Sequence, residues 1–182
     1  MQDVALIRNG DQKAFEQCFN QHWASLYAFA VKILGNTADA KDVVQQVFIA
    51  IWSRRDKLQI NTSLEAYLHQ AVRYQSLKKL QEILSRPERL DHVQEYVLPV
   101  LNDIWEKMDT ADVFKEIDLQ LDQLPQKTKE IFLLSRKHQL SITEIAGKMN
   151  LSEKTVRNQL HIALKALRHH IAVAVVMAQL WS

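Results

Sequence analysis

The sequence predicts an all-α protein built from two small helical domains. Only three glycines and three prolines occur in 182 residues, while helix formers such as Leu, Ala, Gln, Lys and Glu are abundant. Apolar residues recur at three- and four-residue steps, and the alternation typical of strands does not occur. The hydrophobic content of 47% and the charged content of 24% are those of a folded protein, which excludes a fibrous or disordered chain.

Three helices are predicted in the N-terminal half of the chain. The first covers residues 11–34 and ends at Gly35, which suits a left-handed helix cap. The second covers residues 37–56. The third covers residues 64–85, and Ser63 is placed to cap it. Helices of these lengths enclose a small core, which predicts a first domain.

A second helical domain is predicted after a linker. Weaker periodicity before residue 110 predicts the linker, with one short helix near Val100–Lys107. A helix then begins near Asp112, and Pro125 opens the next one. The predicted division is residues 1–90 for the first domain, residues 91–110 for the linker and residues 111–182 for the second domain.

The most specific pattern in the chain lies between Ser141 and Leu167. Ser141 and Glu144 form a capping box at the start of a short helix, and Ser152 caps a second helix after a three-residue turn. Side chains on the outer face of the second helix supply hydrogen-bond donors and cations: Lys154, Thr155, Arg157, Asn158, His161 and Lys165. Reading the major groove requires Arg, Asn and Lys in the exposed N-terminal half of a helix. The pattern therefore predicts a helix-turn-helix that binds duplex DNA.

Charge is segregated along the chain although the formal net charge is only +2. Residues 71–90 and 152–170 each carry a net charge of +3, and residues 103–122 between them carry −5. Separate phosphate-contacting surfaces require such basic segments, but a solvated charged face produces similar counts.

The predicted third helix also has features that suit single-stranded DNA. It interleaves rings and cations, with Tyr67 and Tyr74 beside Arg73 and Lys78. Rings stack on unpaired bases while cations hold the backbone. Taken alone, aromatic residues on a helix are more often part of a core.

Several motifs resemble the sigma-70 family of transcription initiation factors. Those that resemble sigma region 2 are Asp11–Phe15, Leu26-Tyr27, Asp39–Phe48 ending at Trp52, Ala66–Leu68 and Val72-Arg73. Leu124-Pro125 followed by the Ser141–Leu167 hairpin resembles sigma region 4. The resemblance covers nearly the whole chain in the family's order, without the extra domains of a housekeeping factor. It is therefore a resemblance to the small extracytoplasmic-function (ECF) sigma factors.

The resemblance implies a factor that binds core RNA polymerase and directs promoter recognition. It implies that the largest-subunit clamp helices of polymerase dock on the second helix, at Asp39, Asp42, Gln45, Gln46, Phe48 and Trp52. It implies that the turn over residues 59–63 captures a flipped base, and that the minus-ten element is contacted by Asn61, Thr62, Tyr67, Arg73, Tyr74 and Lys78. The outer face of the helix-turn-helix would then read the minus-thirty-five element. The implied partners are core polymerase, promoter DNA and an anti-sigma factor, which in this family is often membrane-bound.

Two positions depart from the family pattern. Asn is common where this chain has Tyr74, so the melting contact is expected to differ. Glycine is usual in the hairpin turn where this chain has Asn150, but Asn tolerates the left-handed conformation.

Other functional classes fit the residues less well. No enzyme active site, cofactor or metal site is predicted. A lone Cys18 with no signal-peptide pattern predicts a cytoplasmic protein. The free chain is expected to be a monomer. An ordinary helix-turn-helix regulator would need a receiver or ligand-binding N-terminal domain, and a helical protein-binding scaffold leaves both basic helices unexplained. Two interpretations of the apolar run Ile171–Trp181 stay open: it completes the second domain's core, or it holds the DNA-binding surfaces in an inactive arrangement.

Overall fold

The computed structural model describes residues 2–101 and 111–178 of the protein. The predicted all-α fold is confirmed, because the described residues form helices joined by short turns and contain no β-strand. Backbone contacts divide the chain into two compact units, residues 1–79 and residues 80–182.

The first unit is built from four helices among the residues described there. They are α1 (Gln2–Arg8), α2 (Gln12–Leu34), α3 (Thr37–Ser53), followed by a 3₁₀ turn (Arg55–Lys57), and α4 (Leu64–Leu84), whose last turn belongs to the second unit. The structure adds α1, which the sequence analysis did not assign.

Side-chain caps set the ends of α2 and α3. The Asp11 carboxylate accepts hydrogen bonds from the backbone N–H groups of Lys13 (2.9 Å) and Ala14 (3.1 Å). Gly35 closes α2 with a left-handed backbone (φ 62°), as predicted. Asn36 then caps α3 by accepting from the Asp39 N–H at 3.0 Å.

The prediction that the second helix runs to residue 56 was wrong. The backbone leaves the α-helical region at Arg54 (φ −115°, ψ 18°), so α3 ends at Ser53. The Arg55 guanidinium donates to the Trp52 carbonyl at 2.8 Å and satisfies a carbonyl that a continued helix would have paired. The third predicted helix agrees with α4 to within one residue, and Ser63 caps it by accepting from the Ala66 N–H at 3.1 Å.

Apolar faces of α2, α3 and α4 form the core of the first unit. The fully buried side chains include Leu26, Ala30, Leu34, Ala40, Val44, Leu68 and Val72. A cluster of rings extends this core, where Phe19 and Phe48 have centroids 4.9 Å apart and Phe15 meets Phe48 edge-on at 6.0 Å.

The second unit contains the helix-turn-helix. Its elements are a 3₁₀ turn (Pro87–Arg89), α5 (residues 90–101, with a π-helical turn over Val93–Val97), α6 (Ala111–Asp122), α7 (Gln126–Lys137), α8 (Ile142–Met149) and α9 (Glu153–Ala178). The long helix α9 packs against α6, α7 and α8. Its buried stripe includes Val156, Leu160, Ala163, Leu164 and Leu167, as the apolar spacing predicts.

The segment predicted as a linker is helical where it is described. In α5 the apolar side chains of Leu90, Val93, Val97, Leu98 and Leu101 are buried. Residues 91–101 are therefore a packed part of the second unit. The buried positions 90, 93, 97, 98 and 101 have the three- and four-residue spacing of an α-helix, which the sequence analysis did not assign between Pro87 and Pro99. The remainder of the predicted helix Val100–Lys107 and residues 103–110 of the acidic segment lie outside the described residues.

The apolar C-terminal run continues α9. Ile171, Ala172, Ala174, Val175 and Val176 are buried. By length and composition alone the stretch Glu153–Met177 is sufficient to span a bilayer, but a core helix meets the same criterion and half of the apolar window is buried here. The packing of α9 on α6, α7 and α8 favours the interpretation that the described part of the run completes a core. Residues 179–182 lie outside the described residues.

Candidate nucleic-acid interface

The capping box at the start of α8 is present with both of its hydrogen bonds. The Ser141 hydroxyl accepts from the Glu144 N–H at 3.3 Å, and the Glu144 carboxylate accepts from the Ser141 N–H at 2.8 Å. The Ser141 hydroxyl also donates to that carboxylate at 2.7 Å. The hydrogen bond from the Ser141 hydroxyl is the larger cause, and the bond from the Ser141 N–H the next, that hold the pKa of Glu144 below its ordinary value. This carboxylate therefore stays charged.

The turn between α8 and α9 uses Asn150 in the left-handed conformation. Its φ is 52°, and the Leu151 N–H closes the turn on the Ala146 carbonyl at 2.9 Å. Ser152 caps α9 by accepting from the Thr155 N–H at 3.1 Å. The Thr155 hydroxyl lies 2.8 Å from the Ser152 hydroxyl, so this predicted DNA contact is engaged in the cap.

The outer face of α9 carries the predicted minus-thirty-five residues. Lys154, Arg157, Asn158 and Lys165 are exposed, whereas Thr155 and His161 are half-buried. The first three lie within the first six residues of the helix, where a recognition helix contacts base edges. Lys165 lies two turns farther along the helix.

Arg157 already has an ionic partner in the second unit. Its Nη1 donates to Oδ1 of Asp91 at 2.8 Å. Sequence reasoning missed Asp91, because the two residues are 66 positions apart and residue 91 lay in the predicted linker. No local sequence signal connects them.

The predicted polymerase-binding residues of α3 divide between its two faces. Asp42, Gln45 and Gln46 are exposed, and Trp52 is half-buried. Asp39 and Phe48 are buried. Asp39 pairs with Lys79 at 3.3 Å, and Phe48 belongs to the aromatic cluster, so both act within the fold.

Ile49 lies beside the exposed polar residues of α3 and was missed by the sequence reasoning. Its side chain is 64% exposed, more than any other large apolar side chain among the described residues. It follows Gln45 by four positions and Gln46 by three, which puts the three side chains on one helix face. Amphipathicity would have revealed it, because Ile49 falls outside the apolar stripe.

The predicted base-capturing turn lines a cleft. Asn61 and Thr62 are exposed, and with Ile60, Ser63 and Leu64 they border a space of about 460 Å³. The opposite wall comes from α1, through Val4, Ala5 and Arg8. The α1 residues were not anticipated, because the sequence analysis assigned no helix there.

Two of the predicted single-strand residues of α4, Tyr74 and Lys78, form an exposed pair of a ring and a cation. Tyr74 is 57% exposed, and Lys78 Nζ lies 4.6 Å from the centre of its ring. Tyr67 and Arg73 are half-buried. The Nε of Arg73 is buried without a hydrogen-bond partner among the described residues, and a buried donor of this kind is expected to gain one from a ligand or solvent.

The described residues contain no group of three or more His, Cys, Asp or Glu side chains arranged to hold a metal ion. Cys18 is buried, and His169 accepts or donates a 3.2 Å hydrogen bond with Gln81.

Family models match both halves of the chain. The model described as Sigma-70 region 2 matches residues 18–82, and the model described as Sigma-70, region 4 matches residues 114–167. Together they cover more than half of the chain in the order that the motifs predict. The chain belongs to the sigma-70 family. The predicted family is thereby confirmed, and the segment between the two matches contains α5.

Curated relatives place this sigma-70 family member beside ECF factors. It is 23% identical over 92% of its length to the ECF RNA polymerase sigma factor SigW of Bacillus subtilis (strain 168), of which it covers 94%. It is 25% identical over 87% of its length to the ECF RNA polymerase sigma factor SigF of Caulobacter vibrioides (strain NA1000 / CB15N), of which it covers 86%. The solved structure of CnrH in complex with the cytosolic domain of CnrY matches 91% of this chain and 94% of that chain at 21% identity and a TM-score of 0.38.

Proposed function

We propose that the chain is an ECF-type sigma factor, which binds core RNA polymerase through α3 and directs transcription initiation at promoters of its own sequence class. The proposal rests on the outer face of α9. Lys154, Arg157 and Asn158 are exposed in the first turns of a capped helix, within the segment that matches sigma region 4. This is the arrangement needed to read a duplex minus-thirty-five element.

Duplex reading follows from the chemistry of these three side chains. The Arg157 guanidinium offers two parallel donors to guanine, and the Asn158 amide suits adenine. Lys154 and Lys165 supply point charges for phosphates, which add affinity but no sequence information.

Minus-ten recognition is assigned to the first unit. The cleft of about 460 Å³ beside Asn61 and Thr62 has room for an unstacked base. The exposed ring of Tyr74 with its neighbouring Lys78 supplies a stacking surface and a cation for single-stranded DNA. Arg8, across the cleft, adds a cation for the backbone of the captured nucleotide.

Polymerase docking is assigned to the exposed face of α3, with Asp42, Gln45, Gln46 and Ile49 as its centre. An apolar side chain surrounded by polar ones is the usual composition of an interface core and rim. Asp39 and Phe48 support this surface from beneath, because they hold α3 in the fold. On this proposal the chain is a regulatory initiation factor rather than an enzyme, acts in the cytoplasm with polymerase, and is a target for an anti-sigma factor.

The proposal is tested with purified core polymerase and the full chain in multi-round transcription on a library of promoters. Enrichment of one promoter class, dependent on both components, is the expected result. Asp42→Lys combined with Gln46→Lys is expected to abolish co-purification with core enzyme, whereas Glu16→Lys on the exposed face of α2 keeps it. Sequence-selective duplex binding without any polymerase complex would instead establish an ordinary helix-turn-helix regulator.

A further inference from the structure

The helix α5 has one buried side and one acidic side. Its apolar side chains are buried, whereas Asp91 and Glu95 are exposed, as are Tyr96 and Pro99. The segment lies between the two family-matched ranges, residues 18–82 and 114–167. It packs into the second unit although it lies outside both family-matched ranges.

The acidic side of α5 meets the recognition helix at the residue best suited to read guanine. Asp91 Oδ1 and Arg157 Nη1 are 2.8 Å apart, with 74% of the Asp91 side chain and 44% of the Arg157 side chain exposed. A bidentate contact needs two guanidinium N–H groups directed at the same base. Asp91 engages one of the two terminal nitrogens, so DNA must compete with it.

Other carboxylates lie along the same edge of the helix-turn-helix. Asp91, Glu95 and Glu144 all border a cleft of about 490 Å³ that reaches Ser141, the cap of α8. The first helix of a helix-turn-helix crosses the DNA backbone, so phosphates approach this edge. Negative charges here oppose phosphates, as the carboxylate on Arg157 does.

Two observations place α5 within the second unit. Its apolar side is buried, and Gln94 Nε2 lies 3.5 Å from Ser135 Oγ on α7. The ion pair itself is exposed on both sides, and such pairs are weak. Arg157 can therefore exchange the Asp91 carboxylate for another anion while the apolar side of α5 stays buried.

We propose that the acidic side of α5 is an internal competitor of duplex DNA, in which Asp91 occupies Arg157 in the free chain and lowers its affinity for the upstream promoter element. The inference rests on the proposed function of α9 in reading duplex DNA. The competition is modest, because an exposed pair of this kind changes an affinity by about two- to fivefold. It weakens as salt rises, since both charges are screened.

The test measures duplex binding by the full chain without core polymerase. The probe is a duplex selected from a randomised pool by the wild-type chain together with core polymerase. Asp91→Asn is expected to bind this duplex about two- to fivefold more tightly at low salt. Glu116→Gln, which removes the same charge from the exposed face of α6, is the matched control and is expected to give a smaller gain.

A double-mutant cycle identifies the partner. In an Arg157→Ala background, Asp91→Asn is expected to give no more gain than the Glu116→Gln control, because the competed residue is gone. Circular dichroism establishes that each variant is folded.

Several outcomes overturn the inference. They are unchanged or weaker binding by Asp91→Asn, a gain equal to that of Glu116→Gln, or a full gain in the Arg157→Ala background. Weaker binding would mean that Asp91 positions Arg157 instead of competing for it. If the wild-type chain with core polymerase selects no duplex and starts no transcript, the proposed function fails and the inference with it. If selection and transcription occur but Asp91→Asn gives no gain, the inference alone is lost.

Discussion

Each unit contains an ion pair between two helical segments, and the two pairs differ in burial. In the first unit Asp39 and Lys79 lie 3.3 Å apart with 11% and 26% of their side chains exposed. In the second unit Asp91 and Arg157 lie 2.8 Å apart with 74% and 44% exposed. The shorter pair is the more exposed one, so distance alone does not rank them. Removing one partner of the first pair would leave a largely buried charge unpaired, which lowers stability, whereas the second pair is exposed and available to DNA.

Burial also separates two neighbouring residues of α3, Phe48 and Ile49, and their comparison gives the largest expected effect. Phe48 is buried in the aromatic cluster, and Phe48→Ala is expected to lower the free energy of unfolding by roughly 3 to 5 kcal/mol. Ile49→Lys, one position on, is expected to change it by less than about 0.5 kcal/mol but to prevent binding to core polymerase. Urea unfolding and co-purification measure the two effects. A stable Phe48→Ala variant that fails to bind polymerase would show that Phe48 belongs to the docking surface. Burial would then not separate stability from binding on α3.

The exposed pair yields the next largest effect, on DNA binding rather than on stability. Arg157→Ala is expected to remove roughly 1 to 3 kcal/mol of discrimination at one base of the upstream element. Lys165→Ala is expected to weaken binding to all duplexes alike and to reduce the salt slope by about one unit. Competition binding on single-base variants of a selected duplex separates the two. Unchanged base preference in Arg157→Ala would remove this residue from the reading set.

The third largest effect is expected from a comparison of Asp39 with Asp91, the carboxylates of the two ion pairs. Asp39→Asn is expected to lower the free energy of unfolding by about 1 to 2 kcal/mol, because it weakens a largely buried pair at the first turn of α3. Asp91→Asn is expected to change it by no more than about 0.5 kcal/mol, because its pair is exposed. Urea unfolding of both variants under identical conditions makes the measurement. Equal decreases in the free energy of unfolding would show that burial does not distinguish the two ion pairs.

Local rules predicted more of the recognition helix than of α3. The capping box, the left-handed Asn150 and the outer face of α9 follow from periodicity and short-range hydrogen bonds, which the sequence contains directly. The α3 residues came from a motif resemblance, which placed Asp42, Gln45 and Gln46 on the polar face of the helix. The same set also included Asp39 and Phe48, and these two are buried.

Long-range features were beyond sequence reasoning. The pairing of Asp91 with Arg157 depends on packing between distant segments, and so does the wall that α1 adds to the cleft beside Asn61 and Thr62. The apolar side of α5 has α-helical spacing, but Pro87 and Pro99 favoured a linker over a helix in this segment. Sequence patterns therefore missed tertiary contacts and also two helical segments, α1 and α5.

The smallest expected effect concerns the capping box of Ser141 and Glu144, which borders the cleft lined by Asp91 and Glu95. Hydrogen bonds from Ser141 lower the pKa of Glu144, so the ionised form is favoured in the folded chain. A group with a lowered folded pKa contributes stability above its unfolded pKa, near 4.5, and loses it as the pH falls through the lower folded value. Glu144→Gln retains a side chain able to accept the Ser141 N–H bond but does not titrate.

This variant is therefore expected to be slightly less stable than the wild type at pH 7, with the difference shrinking as the pH is lowered below 4.5. Thermal unfolding followed by circular dichroism across this range makes the measurement, with Glu130→Gln on the exposed side of α7 as the charge control. A stability difference that does not depend on pH would show that the ionised form of Glu144 adds nothing to the stability of the folded chain. The capping box would then stabilise α8 through hydrogen bonds that do not require the charge, and the Glu144 charge would matter only for its repulsion of DNA.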